Sequence, residues 1–149
     1  MRAYFDTGVL LKLYTLEPES DAARAFVVKR NEAIPATSLH LAESTSALKL
    51  KCFRGECTEE EANGAIADIE ADLHSGVLIS VGCDWEEIWT LCRFLSEHHT
   101  AKTGARTLDA LHVACARQIG FREFVTTDKR QAACAKAAGL KVLSPIPIQ

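Results

Sequence analysis

The chain has no CxxC pair, no apolar run near the ~20 residues needed to cross a bilayer, no excess of positive charge, and no internal repeat, linker or low-complexity stretch. Each absence excludes something. Without paired spacing, Cys52, Cys57, Cys83, Cys92, Cys115 and Cys134 read as thiols packed into apolar helical contexts, as expected in a reducing compartment, and not as a disulfide framework. His98, His99, His112 and Cys115 match no four-ligand zinc spacing. The start, Met1-Arg2-Ala3-Tyr4-Phe5-Asp6, reaches a charge before a signal-peptide core could form, so a cytoplasmic protein without membrane contact is expected. A formal charge of -3 and a pI near 5.9 give no global attraction to nucleic acid. Any such contact needs a local basic patch.

What is present is a 149-residue chain, 48% hydrophobic, long enough for one well-buried core and too short for two ordinary domains. A single domain, 1–149, is expected. Short apolar runs at 2–5, 33–37, 77–81, 123–127 and 140–143 alternate with longer helical patterns, which predicts an α/β fold. Its expected form is a central parallel sheet of four to five strands covered by helices on both faces. A short helix should stop before Pro18, and a second should cover about 19–30. Ser38 is placed to cap a helix over about 39–53, and Thr58-Glu59-Glu60-Glu61 has the spacing of a capping box for the next. These two form a helical hairpin, 39–74. Its apolar residues Leu48, Leu50, Phe53, Ile66, Ile69 and Leu73 exceed what one small core side needs, so it is expected to serve as a dimer or partner surface. Asp84 should open a helix through Leu95, with a polar loop from His98 to Ala105. Thr107 should open another ending at Gly120, and the last should run from about 129 to 138.

Four carboxylates stand where each should cost stability. Asp6 ends the first strand, Asp128 follows the fourth, Asp109 lies in the first turn of a helix, and Glu43 interrupts the side of a helix carrying Leu39, Ala47 and Leu50. Apolar surroundings and mutual repulsion both oppose ionisation of such a set, and a divalent cation relieves both. In open parallel sheets ligands bind beyond the carboxyl ends of the strands, where Asp6 and Asp128 fall and where the N-terminus of the Asp109 helix should point. A set of carboxylates without a His or Cys ligand set suits Mg²⁺ or Mn²⁺.

Phe5-Asp6-Thr7-Gly8-Val9-Leu10-Leu11-Lys12-Leu13-Tyr14, Ala42-Glu43, Thr107-Leu108-Asp109-Ala110-Leu111-His112-Val113-Ala114 and Thr126-Thr127-Asp128-Lys129-Arg130 together resemble, in order over about residues 3 to 143, the PIN-domain ribonucleases, and among them the VapC toxins of prokaryotic toxin–antitoxin pairs. The resemblance implies that Asp6, Glu43, Asp109 and Asp128 are the catalytic, metal-binding acids, with Asp6, Glu43 and Asp109 the principal ligands and Asp128 an outer or second-metal ligand. It matches Thr126 to the hydroxyl residue two places ahead of the last acid. It further implies Mg²⁺ or Mn²⁺ dependence, hydrolysis of RNA phosphodiesters by metal-activated water, a homodimer and a cognate antitoxin. One position departs. Gly8 stands where relatives often carry Ser or Asn, and Thr7 is the neighbouring hydroxyl that could substitute.

Arg106, Lys129 and Arg130 are candidate substrate-binding residues at the rim of such a site, with Lys102 at the other end of the loop before Asp109; solvated surface charge is the first reading of each taken alone. His112, one turn after Asp109, reads as a hydrogen-bonded core histidine or as a general acid. Two other functions remain open. One is a catalytically inactive PIN-like module that binds RNA or protein. The other is a Mg²⁺-dependent phosphatase with Asp6 as nucleophile, which would ordinarily need a second Asp at the position of Gly8.

Overall fold

The computed structural model describes residues 3–149. Arg2, the first residue of the strand expected at 2–5, lies outside them. The chain divides into two compact units, one spanning Leu10–Val81 and the other combining the residues up to Val9 with Gly82–Gln149.

The second unit holds β1 (Ala3–Phe5), the start of α1 (Thr7–Lys12), α5 (Trp85–Thr103), α6 (Thr107–Ile119), β4 (Glu123–Val125), α7 (Lys129–Ala137) and β5 (Lys141–Leu143). Its strands form a parallel sheet in the order β1-β4-β5, with Tyr4 opposite Phe124 and Phe124 opposite Val142. Tyr4, Phe124, Val125 and Val113 are fully buried, as expected of parallel strands that carry apolar residues on both faces. Helix α6 is the most buried of the helices, with Asp109 through Ala116 all inside.

The first unit holds α2 (Ser20–Arg30), β2 (Ile34–Ala36), α3 (Ser38–Phe53), α4 (Glu59–Ser75) and β3 (Leu78–Ser80). Strands β2 and β3 pair in parallel. The α3–α4 hairpin forms as expected, and Thr58 and Glu61 make the reciprocal capping bonds of its second helix. Within the hairpin Leu48 and Ile69 are buried, whereas Leu50 and Phe53 are exposed.

Three expectations need correction. The strands are parallel and flanked by helices, but they make a three-stranded sheet and a separate pair instead of one sheet of four to five. Pro35 supplies a physical reason. Ile34 donates its N–H to Val77 and Ala36 accepts from Val81, so both residues face β3. The residue between them bonds towards the opposite edge, and there proline has no donor.

Helix α5 also continues through His98–Thr103, where a loop was expected. His98 Nδ1 bonds the Phe94 carbonyl at 2.9 Å and Thr103 donates to the His99 carbonyl at 3.0 Å, so the polar side chains fold back onto their own helix. Gly104, at φ +70°, ends it. Finally, the N-cap of α3 is Thr37 and not Ser38. Among the described residues, no helix is long and apolar enough to cross a membrane.

Candidate functional site

Asp6 is the first residue beyond β1, and its N–H still donates to Val125 of β4 at 2.9 Å, so the sheet's hydrogen bonding fixes its backbone. The side chain is buried. Its Oδ1 accepts the Val9 N–H at 2.6 Å, closing the first turn of α1, while its Oδ2 accepts the Thr126 hydroxyl at 2.5 Å. Thr126 sits one residue past β4 and is itself held by donation of its N–H to Leu143 at 3.1 Å.

Thr126 also receives the Asp128 N–H at 3.1 Å, and its oxygen lies 2.7 Å from the side-chain amide of Gln131. A hydroxyl has one proton to give. With that proton on Asp6, the Gln131 contact is satisfied when the amide presents its NH₂ group to Thr126, so the oxygen donates once and accepts twice. Gln131 is buried and was missed in the sequence. The signal was present, since Asp128-Lys129-Arg130-Gln131 has capping-box spacing. The Asp128 side chain takes the expected half of that motif, accepting the Gln131 N–H at 2.8 Å.

Asp109 occupies the third position of α6 and is 7% exposed, which makes it and Asp6 the buried acids of this unit. Its Oδ2 accepts the Arg106 N–H at 2.8 Å and lies 3.4 Å from the Arg106 Nε. The guanidinium is itself 70% exposed, so this pair contributes little stability. Arg106, Asp128, Lys129 and Arg130, together with Gln149, line an open cavity of about 360 Å³. The Arg130 side chain reaches back to Gly104, where an added Cβ would meet its Cδ at 3.7 Å. The candidate substrate-binding cations from two separate elements therefore share one rim. Lys102 is exposed in the last turn of α5 and does not line that cavity.

His112 is buried, with Nδ1 2.7 Å from the Tyr4 hydroxyl and Nε2 3.2 Å from the Thr7 hydroxyl. Each hydroxyl can donate or accept as the ring requires, so the two bonds tether α6 to β1 and α1. His112 thus follows the core reading. It also directs the Thr7 hydroxyl towards α6. Tyr4, packed edge-on against His112, is a second residue the sequence did not point to.

At Gly8 an added Cβ would lie 3.5 and 3.8 Å from the two Asp6 oxygens, in ordinary van der Waals contact. A side chain here would stand directly over the carboxylate, and glycine leaves that face open.

Glu43 belongs to the other unit, half-buried on α3. The buried line of that helix is His40, Ser44 and Leu48, one position on from the line expected through Leu39, Glu43, Ala47 and Leu50. Glu43 therefore borders the buried face without interrupting it.

The donor chemistry in the second unit fits a hard divalent cation: carboxylate oxygens from Asp6, Asp109 and Asp128, with the His112 imidazole held by two hydroxyls. The described bonds of Asp109 use Oδ2 and those of Asp128 use Oδ1, so the second oxygen of each suits a cation. Among the described residues, however, no three His, Cys, Asp or Glu side chains stand close enough to hold an ion as they are.

A family model for the PIN domain matches residues 3–144. The chain is similar to Ribonuclease VapC46 of Mycobacterium tuberculosis (strain ATCC 25618 / H37Rv), at 30% identity over 144 residues, covering 95% of this chain and 96% of that protein. It is also similar to the crystal structure of FitAcB from Neisseria gonorrhoeae, with a TM-score of 0.65 over 96% of this chain and 97% of that one. At 15% identity the second likeness is one of fold alone.

Proposed function

The chain belongs to the PIN-domain family, with homology to the VapC-type ribonuclease toxins of toxin–antitoxin systems, and on that premise we propose that it is a Mg²⁺- or Mn²⁺-dependent endoribonuclease, the toxin of a type II pair. One family match spanning 3–144 supports reading both compact units as a single PIN domain.

The observation that carries the catalytic reading is Thr126, whose hydroxyl joins Asp6 to the backbone of Asp128 across the carboxyl ends of β1 and β4. A threonine used in this way holds two acids of different elements beside one another. Asp6, Asp109 and Asp128 would hold the cation, and the family resemblance implies a ligand role for Glu43 as well. When bound, the ion would supply Lewis acidity to the phosphate and lower the pKa of a water. The chain's own residues supply orientation: Val9 N–H and Thr126 fix the Asp6 carboxylate, the Arg106 N–H fixes Asp109, and Gln131 fixes Asp128. Arg106, Lys129 and Arg130 would meet the phosphates of RNA at the rim.

A second reading is a PIN-like module that binds RNA without cutting it, which the shared rim of Arg106, Lys129 and Arg130 would serve equally. Incubating the purified protein with labelled RNAs, with and without Mn²⁺, separates the two. The nuclease reading requires cleavage that chelation abolishes. RNA retention without cleavage at any metal concentration would leave only the binding module.

The partner surface belongs to the same proposal. Phe53, 88% exposed, and Leu50, 42% exposed, support the α3–α4 hairpin as a homodimer or antitoxin surface. Light scattering of Phe53→Asp against the unaltered protein checks the dimer, which the substitution should dissociate.

A further inference from the structure

The six cysteines do not behave alike. Cys92, Cys115 and Cys134 are buried, and burial pushes the last two thiols up to about 12 and about 11, so they are inert packing groups. Cys52 and Cys57 are half-buried, and their sulfurs lie 3.5 Å apart. Cys52 is in the last turn of α3, Cys57 immediately precedes the N-cap of α4, and Gly55 at φ +74° turns the chain between them. The Cys52 sulfur also contacts the Thr58 carbonyl at 3.3 Å, so the pair spans the whole turn of the hairpin. Cys57 opens onto a cavity of about 510 Å³ also lined by Tyr14, Lys51, Glu56 and Asp68, through which a small molecule can approach.

We propose that Cys52 and Cys57 form a reversible dithiol–disulfide couple that fastens the turn of the α3–α4 hairpin. A disulfide needs sulfurs at about 2.05 Å, a closure of about 1.5 Å from the observed separation that side-chain rotation can supply. The oxidant is a low-molecular-weight disulfide. One protein thiolate attacks a sulfur of that molecule, giving a mixed disulfide and releasing one small thiol. The second protein thiolate then attacks the protein sulfur of the mixed disulfide and releases the other small thiol. Two electrons and two protons pass from the cysteines, and the small disulfide leaves as two thiols.

Proximity combined with access on both sides, not acidity, distinguishes the pair: Cys83 also meets Cys115 side chain to side chain, but Cys115 is buried. Local desolvation and the neighbouring Cys52 thiol push the Cys57 thiol up, Glu61 adds to this and Lys51 opposes it. The raised thiol lowers the thiolate fraction and so slows attack on the small disulfide. Phe53 lies inside the six-residue segment the bond would close, so oxidation restrains the most exposed aromatic side chain of the hairpin.

The test is thiol titration and peptide mapping of the full chain equilibrated across ratios of oxidised to reduced glutathione. The expected result is loss of two of the six thiols, a Cys52–Cys57 linkage in the mapped peptides, and full recovery on reduction. Cys57→Ser should instead retain a glutathione adduct at Cys52. A parallel measurement needs no variant: phenylarsine oxide, which bridges neighbouring thiols, should bind at one equivalent and protect those two cysteines from alkylation. A linkage to Cys83, links only between chains, or failure of the arsenical to protect the pair would overturn the proposal.

Discussion

Thr126 donates its hydroxyl to Asp6 across 120 positions of sequence, at 2.5 Å, and the same oxygen accepts the Asp128 N–H. Two acids are thereby positioned by one uncharged side chain. Thr126→Val keeps the shape and removes the bonds. It takes one hydrogen-bond partner from each of the buried Asp6 and Gln131 side chains, each loss costing about 1–3 kcal/mol. Urea unfolding at pH 7 should register a total loss of about 3 kcal/mol, with Thr126→Ser recovering most of it; a loss below about 0.5 kcal/mol would mean that the hydroxyl holds nothing.

Gly8→Ser should be tolerated. The position is exposed, and an added Cβ finds no contact closer than 3.5 Å. Because serine is also the better helix former by a few tenths of a kcal/mol, thermal unfolding should be unchanged or slightly higher. A large fall in Tm would contradict the open space described over Asp6.

His112→Phe fills a similar space but leaves the Tyr4 and Thr7 hydroxyls without the ring nitrogens. The expected cost is about 2 kcal/mol in unfolding free energy. If His112 acts only through packing, residual RNA cleavage per folded molecule stays within about tenfold of the unaltered protein, since general acid–base catalysis is worth roughly 10²–10⁴-fold. A loss of a thousandfold per folded molecule would restore the catalytic reading.

How much was legible before the structure depends on where the signal lay. Strand and helix order was local in kind, carried by short apolar runs and by caps such as Thr58 and Asp84, and it holds. The division of the sheet turned on Pro35, a single missing donor inside a run that otherwise reads as strand. The continuation of α5 was hidden because His98 and Thr103 look like loop residues until their bonds to the preceding turn are seen. Helical periodicity placed Glu43 near the buried face of α3, but a window of apolar residues could not separate that line from the adjacent one of His40, Ser44 and Leu48. In the candidate site the acids were visible as misplaced charges. Gln131 and Tyr4 were not, because a neutral side chain that satisfies a neighbour leaves no such mark.

The Glu17–Lys51 pair, at 2.7 Å, should give stability a window in pH. Burial pushes the Glu17 carboxyl up, but the hydrogen bond and charge of Lys51, aided by Lys12, outweigh this and hold it below its usual value. The hydrogen bond that Lys51 donates to Glu17 raises Lys51, with burial opposing and the charges of Glu17 and Glu56 adding. A depressed carboxyl stabilises the fold above its unfolded pKa, near 4.5, and that contribution disappears as pH falls through the lower folded value. A raised lysine stabilises below its unfolded pKa, near 10.5, and loses its contribution as pH rises through the higher folded value. Glu17→Gln should therefore be less stable than the unaltered protein by about 1 kcal/mol at pH 7, with the gap narrowing below about pH 4. Paired urea titrations at pH 7 and pH 3 check it; an equal gap at both would exclude the pair as its source.

The central claim is that the acids at the carboxyl ends of the strands carry metal-dependent RNA hydrolysis. Its most direct measurement is the single-turnover cleavage rate of one susceptible RNA with Mn²⁺, compared across Asp6→Asn, Glu43→Gln, Asp109→Asn and Asp128→Asn, each confirmed folded. The account predicts losses of at least about 10²-fold for Asp6, Glu43 and Asp109, a smaller loss for Asp128, and no cleavage by any of them in chelator. Undiminished cleavage by both Asp6→Asn and Asp109→Asn, or cleavage that persists in chelator, would contradict it.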